Sequence, residues 1–215
     1  MVRMAADPLF AEFKSHQDLL LPHTMPHLRL RNLDVGCGSG IPSVIHAARL
    51  GLAPTLSDVR DIRHPTARAL PFRLIHAGIL PFETQVFESS YLQYVLHHLP
   101  SADEIAALLK ECARVSTTLV IVEEVVGPKT DLTRARAFDR EMNDHLHPGV
   151  SMPVFDYLSA DAVKAQLFAV GAPSIAHSVV SMGSDQNGWL ETHVFVGRAS
   201  PSGTSSTTLT SQITE

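Results

Sequence analysis

The stretch Leu33-Asp34-Val35-Gly36-Cys37-Gly38-Ser39-Gly40 decides the fold. An apolar run from Leu28 into Val35 predicts a buried strand, and three alternating glycines follow it directly. The segment 41–50 then has the apolar spacing of a helix. Glycine permits positive φ and the close approach of a ligand, and the free N–H groups of the following helix attract polar or anionic groups. The stretch therefore predicts a strand, a tight turn and a helix start that bind a ligand.

Two carboxylates narrow the choice of ligand. Asp34 precedes the first glycine by two residues, and Asp58 ends the next predicted strand, twenty residues after Gly38. A carboxylate at Asp34 suits the ammonium of a ligand that carries an amino acid, and one at Asp58 suits a ribose diol. The glycine spacing differs from the dinucleotide fingerprint, in which the third glycine follows the second after two residues. These features indicate a nucleoside that carries an amino acid.

The glycine stretch resembles motif I of the class I S-adenosylmethionine-dependent methyltransferases, of the small-molecule type that includes quinone-biosynthesis enzymes. The resemblance continues in order and spacing through Leu80-Pro81-Phe82, Phe87 to Leu92 and Val95-Leu96-His97-His98-Leu99, and it covers roughly residues 28–125. It implies a single doubly wound, Rossmann-like α/β domain. The sheet would have seven mostly parallel strands with the last one antiparallel, and helices on both faces. The implied cofactor is S-adenosyl-L-methionine, with S-adenosyl-L-homocysteine as its product.

The predicted elements suit one domain over residues 1–199. Strands are predicted over residues 28–35, 53–57, 73–77, 87–92, 118–122, 174–182 and 191–198. Helices are predicted over residues 8–21, 41–50, 131–144 and 159–170, and a further helix opens at the capping box Ser101-Ala102-Asp103-Glu104. We expect Pro22 to end the first helix, and Pro65 and Pro71 to shorten the connection between the second and third strands. The segment at about 127–158 resembles a lid-like insertion, and the Ser/Thr-rich tail 200–215 is expected to be disordered.

Composition limits the partners and the compartment. The formal net charge of −5 argues against a nucleic-acid partner, which would need a basic face. No apolar run is long enough to cross a bilayer, and the first residues lack the apolar core of a signal peptide. Cys37 and Cys112 give no disulfide framework. We therefore expect a cytoplasmic monomer or homodimer that acts on a small molecule, without nucleic acid and without membrane insertion.

The resemblance assigns contacts along the whole cofactor. Gln93 and Tyr94 follow the fourth strand, where they are placed to touch the methionine portion. His76 stands where relatives commonly have an acid for the adenine amino group, so that contact falls to backbone groups near Ala77 and Gly78 or to Ile79. The predicted cofactor-binding set is Asp34, Gly36, Cys37, Gly38, Gly40, Asp58, Ala77, Gly78, Ile79, Gln93 and Tyr94.

Methyl transfer from a sulfonium is an in-line displacement, so the protein must align the acceptor and exclude water. A base is needed only where the acceptor arrives protonated, and histidine suits that task near neutral pH. The predicted catalytic set is His98, Glu123, His145 and His147, drawn from a wider group that adds His97, Glu124 and Asp139.

Structural roles for these residues stay open. One of His97 and His98 can cap a helix, the two glutamates can end a strand or bind an arginine, and His145 and His147 can lie solvated in a loop. No metal is expected, because the candidate ligands match no compact ligand motif; these are His97, Glu123, Asp144, His145 and His147.

The sequence thus predicts an S-adenosylmethionine-dependent methyltransferase, of enzyme class 2.1.1, that methylates a nucleophilic atom of a small molecule. An alternative is a protein of this fold that binds the cofactor without transferring the methyl group, either as a binding protein or as a catalyst of cyclisation or rearrangement. A third interpretation is an NAD-dependent oxidoreductase. The mass of the product separates methylation from rearrangement, because only methylation adds a methyl group.

Overall fold

The computed structural model describes residues 8–76, 78–128, 130–180 and 190–199. Its helices are α1 (Pro8–Thr24), α2 (Ile41–Leu50), α3 (Ala102–Val115), α4 (Leu132–Leu146) and α5 (Ala160–Ala169). Its strands are β1 (Asn32–Val35), β2 (Thr55–Asp58), β3 (Phe72–Leu74), β4 (Phe87–Gln93), β5 (Ser116–Val126), β6 (Ser174–Val180) and β7 (Leu190–Arg198). Short 3-10 helices lie at Pro65–Ala67 and Leu96–His98. The predicted tail, 200–215, lies outside the described residues.

The strands form one seven-stranded sheet in the order β3-β2-β1-β4-β5-β7-β6. Neighbours among β1 to β5 are parallel, and β7 lies antiparallel between β5 and β6. The strand order reverses between β1 and β4, and open α/β sheets bind ligands at the carboxyl ends of strands at such a point. The doubly wound sheet with an antiparallel last strand is therefore confirmed.

Apolar side chains cover both faces of the sheet, as the two-residue alternation of β-strands requires. On one face α3 and α5 pack on a large cluster that includes Leu33, Leu92, Leu109, Ile121 and Phe195. On the other face α1 packs on a cluster that includes Leu20, Tyr91, Val120, Val122 and Val194. None of the helices in the described ranges is long and apolar enough to cross a membrane.

Several local expectations are confirmed. The hydroxyl of Ser101 accepts a hydrogen bond from the backbone N–H of Glu104, at 3.2 Å, and so caps α3. Gly51 ends α2 in the left-handed conformation, with φ +64°. Between β2 and β3 only the 3-10 helix Pro65–Ala67 is present, so this connection is abbreviated as the two prolines predicted.

Four element ends differ from the prediction by three or four residues, and the first is the start of β1, which lies at Asn32 and not at Leu28. α1 continues through Pro22 to Thr24, because Leu21 and Thr24 are buried and tertiary packing outweighs the proline. β5 runs beyond Val122 to Val126, because its last four residues pair with β7. β3 stops at Leu74, so His76 lies outside the strand and forms a bridge with Ile79.

Gly40 offers a test of the packing behind the glycine turn. Its φ is +68°, and a Cβ there would lie 2.7 Å from Leu56 Cδ2 and 2.8 Å from Ala67 Cβ. We expect Gly40→Ala to lower the free energy of unfolding by about 2–5 kcal/mol, the sum of backbone strain and overpacking. Gly51→Ala is the matched control, because its φ is +64° but nothing lies within 4 Å of the added Cβ. Urea unfolding measures both; equal losses would contradict the packing role of Gly40.

Candidate active site

The three glycines of the turn have separate roles. All have positive φ: +71° at Gly36, +51° at Gly38 and +68° at Gly40. A Cβ at Gly36 would lie 2.8 Å from Val95 Cγ2, so Gly36 and Gly40 both allow close packing with neighbouring segments. A Cβ at Gly38 would instead meet the ring of His147, at 3.3 Å. Gly38 is therefore the glycine whose backbone faces the loop that follows α4.

Asp58 holds this turn in place from the end of β2. The backbone N–H of Gly38 donates a hydrogen bond to Asp58 Oδ2, at 2.8 Å. The N–H of Arg60 donates to Asp58 Oδ1, at 3.2 Å. The carboxylate predicted to bind a ribose is thus already fixed against the glycine turn, and hydrogen bonds to a charged acceptor are among the stronger ones in proteins.

A cavity of about 500 Å³ opens beside the turn. Its floor is the carboxyl end of the sheet, and α1 and α4 with the following loop form its cover. The wall from the cover combines six apolar residues, Phe13, Leu19, Phe138, Met142, Leu146 and Met152, with six polar ones, Glu12, Ser15, His16, Asp139, Asn143 and His147. The volume and the apolar lining are typical of small-molecule sites in proteins.

The structure brings most of the predicted residues to this cavity, though not all. Eight of them line it: Asp34, Gly36, Cys37, Gly38, Gln93, Tyr94, His98 and His147. Gly40, Asp58, Gly78, Ile79, Glu123 and His145 are not among its lining residues. Ala77 lies outside the described residues. The side chain of Ile79 is 63% exposed, and nothing lies within 4 Å of a Cβ built at Gly78, so this loop stands open to solvent.

Asp34 presents a buried carboxyl group to the cavity. Burial raises its pKa to about 7, and the charge of Asp58 adds to this, although the hydrogen bond from Ser43 opposes it. That bond runs from Ser43 Oγ to Asp34 Oδ2, at 2.6 Å. Loss of hydration makes the ionised form costly, and a cationic ligand group beside it would offset that cost. The site is thus suited to an ammonium.

A polar network connects α1 to the floor of the cavity. Gln17 is fully buried, and its amide donates to Gln93 Oε1, at 2.8 Å. Tyr91 also donates to Gln93 Oε1, and His46 Nε2 lies 3.1 Å from Gln17 Oε1. These bonds fix one side of the cover to β4 and α2, since buried polar groups that are satisfied hold a unique arrangement.

The side chain of Tyr94 lines the cavity, and the backbone of Tyr94 has a strained φ angle. Its φ of +57° is rare for a residue with a side chain and costs on the order of 1–3 kcal/mol. The hydroxyl lies 2.9 Å from His16 Nε2 on α1. The strained residue is therefore one that connects the sheet to α1 across the cavity, through the contact of Tyr94 with His16.

His97, Glu123 and Asp139 form a buried charged cluster beside the cavity. His97 Nδ1 lies 2.6 Å from Glu123 Oε1, and His97 Nε2 lies 3.4 Å from Asp139 Oδ2. Burial disfavours the charged form of His97, but Glu123 and Asp139 outweigh burial and raise its pKa to about 9. Glu123 also accepts from the backbone N–H groups of Leu96 and Glu124, at 2.8 and 2.9 Å. Glu123 therefore orients the 3-10 helix Leu96–His98 rather than facing the cavity.

Hydrogen bonds connect the loop after α4 to this cluster and to the segment that follows β2. His98 Nδ1 lies 2.9 Å from the carbonyl oxygen of Pro153, and the N–H of Phe155 donates to the carbonyl of His97, at 2.9 Å. Arg60 donates to the carbonyl of Ser151, at 3.0 Å. On the outer surface, His145 Nε2 lies 3.1 Å from Glu12 Oε2 and so connects α4 to α1. His145 is placed between the two parts of the cover, outside the cavity.

Comparisons with known proteins agree with this geometry. Residues 33–118 match the methyltransferase domain family. A structure of an S-adenosylmethionine-dependent methyltransferase from Methanosarcina mazei superimposes with a TM-score of 0.65 at 19% identity, over 83% of this chain and 97% of that chain. The chain has the fold of the class I S-adenosylmethionine-dependent methyltransferases. This confirms the resemblance drawn from the motifs and supports S-adenosylmethionine as the cofactor.

Two further proteins that are similar to this chain have names that give different acceptors. Geranyl diphosphate C-methyltransferase from Streptomyces coelicolor A3(2), solved with Mg²⁺, geranyl diphosphate and S-adenosyl-L-homocysteine, has a TM-score of 0.63 at 13% identity, covering 91% of this chain and 86% of that chain. A tRNA U34 carboxymethyltransferase of Trichlorobacter lovleyi is 32% identical over 125 residues, which are 51% of this chain and 36% of that protein. The chain thus spans about a third of the length of this curated relative.

Some residues at the site were absent from the sequence prediction. They include His16 and Gln17 of α1. They also include Tyr157, whose hydroxyl donates a hydrogen bond to Asp139 Oδ2, at 2.8 Å. The sequence signal for His16 and Gln17 was that they are polar residues within the apolar pattern of α1. Glu124 and Asp139 were noted only as possible bases, yet both line the cavity. Burial raises the pKa of Glu124 to about 7.

The buried cluster yields a stability prediction. We expect Glu123→Ala to lower the free energy of unfolding by about 3–5 kcal/mol, because it leaves two backbone N–H groups and His97 without their carboxylate. Glu12→Ala should cost less than about 1 kcal/mol, because its contact with His145 is exposed. Urea unfolding at pH 7 measures both changes. Similar small losses in the two variants would contradict the orienting role of Glu123.

Proposed function

We propose that this protein is a methyltransferase that transfers the methyl group of S-adenosylmethionine to a small molecule held in the 500 Å³ cavity. The observation that carries the proposal is the position of that cavity. It joins the glycine turn and Asp34 at one end to the apolar cover from α1 and α4 at the other. One continuous space thus offers a place for a charged nucleoside and a place for an acceptor.

The residues of the turn fit the cofactor as follows. Asp34 pairs with the ammonium of the methionine portion, which compensates the burial of its carboxyl group. Gly38 provides backbone that a ligand can approach without meeting a side chain of its own. Asp58, at the end of β2, binds the ribose hydroxyls. Bound there, the cofactor supplies an electrophilic methyl group.

The acceptor in this proposal is a mainly apolar small molecule. Phe13, Leu19, Phe138 and Met142 contribute apolar surface, which suits the body of such an acceptor. The net charge of −5 gives no support to a nucleic-acid acceptor. Where the acceptor arrives protonated, a cavity imidazole takes the proton, and His147 is the predicted histidine that lines the cavity outside the His97–His98 pair.

We also propose that residues 127–158 act as a lid within a single domain. α4 and the following loop supply half of the cover, and they meet the rest of the chain through side chain to backbone contacts at Pro153 and Ser151. The ring of His147 lies over Gly38, so the loop has to move when a ligand occupies the turn. Such closure excludes water during methyl transfer.

The test of the proposed function combines binding with product mass. Calorimetry with S-adenosylhomocysteine should show binding, and Asp58→Ala should weaken it by about 1–3 kcal/mol, or roughly 5- to 150-fold. Asp61→Ala is the matched control, since this exposed carboxylate lies three residues after Asp58 and pairs with Arg63. With a panel of apolar phenols, thiols and amines, mass spectrometry should detect a product that carries one added methyl group.

Other outcomes of this test contradict specific parts of the proposal. Cofactor binding with a rearranged product of unchanged mass would support the cyclisation or rearrangement catalyst instead. Binding of NADH in place of S-adenosylhomocysteine would support an oxidoreductase. Methylation of tRNA without any small-molecule product would overturn the acceptor class. Equal affinities in the two aspartate variants would remove Asp58 from the site.

The pKa of Asp34 makes cofactor affinity depend on pH. Because the free carboxyl group has a pKa of about 7 and the ammonium prefers the ionised form, binding must release a proton below that pH. Affinity for S-adenosylhomocysteine should therefore fall about tenfold from pH 8 to pH 6. Asp34→Asn should bind more weakly and lose this dependence. An unchanged pH profile in the variant would show that another group titrates.

A further inference from the structure

The cluster beside the cavity brings together three side chains with atoms that bind metals. These are His97, His98 and Asp139, and their ligand atoms all lie within 4.8 Å of one another. His97 Nε2 is 3.1 Å from His98 Nε2 and 3.4 Å from Asp139 Oδ2. The sequence did not predict this group, because two ligands follow β4 and the third comes from the middle of α4. All three residues line the cavity.

The spacing of these atoms matches the corners of a metal coordination shell. Zinc binds histidine nitrogen and carboxylate oxygen at about 2.0–2.2 Å in a tetrahedral arrangement, which separates neighbouring ligand atoms by about 3.3–3.5 Å. Two of the three separations in the cluster are 3.1 and 3.4 Å. A metal ion can therefore contact all three side chains once torsion changes bring the third pair, His98 and Asp139, which lies within 4.8 Å, to the same spacing.

The ring nitrogens of His97 and His98 that face away from the cluster make hydrogen bonds of the kind that orient metal ligands; we call these the outer bonds. His97 Nδ1 lies 2.6 Å from Glu123 Oε1, and His98 Nδ1 lies 2.9 Å from the carbonyl of Pro153. Metal-binding histidines usually donate their second N–H to a carboxylate or a backbone carbonyl in this way. Asp139 is itself held, because Tyr157 donates to Oδ2 at 2.8 Å and Asn143 donates to Oδ1 at 2.9 Å.

These outer bonds place the two Nε2 lone pairs of His97 and His98 opposite each other, and a cation between them would be stabilised. A carbonyl accepts only, so His98 Nδ1 carries a proton, and the carboxylate of Glu123 favours a proton on His97 Nδ1. In the neutral tautomers both Nε2 atoms then present lone pairs to each other across 3.1 Å. Either a proton on His97 or a metal ion between the rings removes this repulsion.

We propose that His97, His98 and Asp139 bind a divalent first-row metal ion, with Zn²⁺ as the best match to two imidazoles and one carboxylate. Three protein ligands with a remaining position toward a cavity are the arrangement of metal sites that bind a further ligand. All three side chains line the cavity, so a further ligand of the ion would reach it from there. The proposed site accordingly binds an oxygen, nitrogen or sulfur donor of that molecule, a consequence that rests on the proposed function.

Metal titration of the full chain tests the site without any cofactor or acceptor. After removal of metals with a chelator, Zn²⁺ competition against a chromophoric chelator should give one ion per chain. Asp139→Asn and His98→Ala should each weaken binding by about 100-fold or more, since loss of an outer partner alone costs about 10–100-fold. Co²⁺ in place of Zn²⁺ should give the visible absorption of a low-symmetry four-coordinate site, and Asp139→Asn should change it.

His177→Ala serves as the matched control for this titration. His177 Nε2 lies 2.8 Å from His193 Nδ1 in a second histidine pair, on β6 and β7, away from the cavity residues. Its loss should leave Zn²⁺ affinity unchanged. Zn²⁺ should also raise the melting temperature of the wild-type chain and not that of a folded Asp139→Asn variant.

Three results would overturn the metal proposal. The first is that the wild-type chain does not bind Zn²⁺. The second is that Asp139→Asn binds Zn²⁺ with the same affinity as the wild type. The third is that only His177→Ala loses Zn²⁺ affinity. In the first case the proton on His97 would be the cation between the rings. Failure of methyl transfer alone would leave the metal result standing, because the titration contains no S-adenosylmethionine.

Discussion

The site depends on the hydrogen bond from the backbone of Gly38 to Asp58. It joins the turn after β1 to the end of β2, at 2.8 Å, in a part of the chain where three glycines hold positive φ. Val95, Leu56 and Ala67 fill the space that side chains on Gly36 and Gly40 would need. The turn is therefore fixed by close packing from behind and by a carboxylate in front. A fixed turn lets a ligand bind without first ordering the backbone.

The cover of the cavity depends on a different kind of interaction. α1 packs Leu20 on the apolar face of the sheet, and polar contacts beneath the cavity add to the attachment of α1 and α4. Gln17 connects α1 to β4, and the cluster of His97 with Asp139 connects α4 to the 3-10 helix after β4. Buried charges are costly unless each is paired, so the cluster favours one position of the cover over others. A lid held in this way can open when those pairs separate.

The sequence predicted the features that local chemistry controls. The glycine turn, the capping serine Ser101 and the β-branched run in β5 each have a signal within a few residues, and the structure has the predicted elements there. The missed ends of elements arose where contacts from distant segments outweigh local preference, as at Pro22 and at the end of β5. Periodicity in one segment contains no information about the partner strand.

For the site too, the sequence predicted residues that have a local signal and missed contacts between distant segments. Asp34, Gly38 and His98 line the cavity as their positions at strand ends predicted. The role of Glu123 depends on Leu96 and His97, which lie 27 and 26 residues earlier in the chain, so the choice among candidate bases could not distinguish it from Glu124. The grouping of Asp139 with the two histidines depends on how α4 folds back over the sheet. Only the three-dimensional structure brings those atoms together.

A crystal structure of the protein with S-adenosylhomocysteine would show whether the two carboxylates bind the cofactor as proposed. We expect the amino group beside Asp34, the ribose hydroxyls on Asp58, and the sulfur directed toward the apolar space under α1 and α4. His147 should move away from Gly38. A ligand bound elsewhere, or one whose ammonium and ribose contact neither carboxylate, would contradict the account.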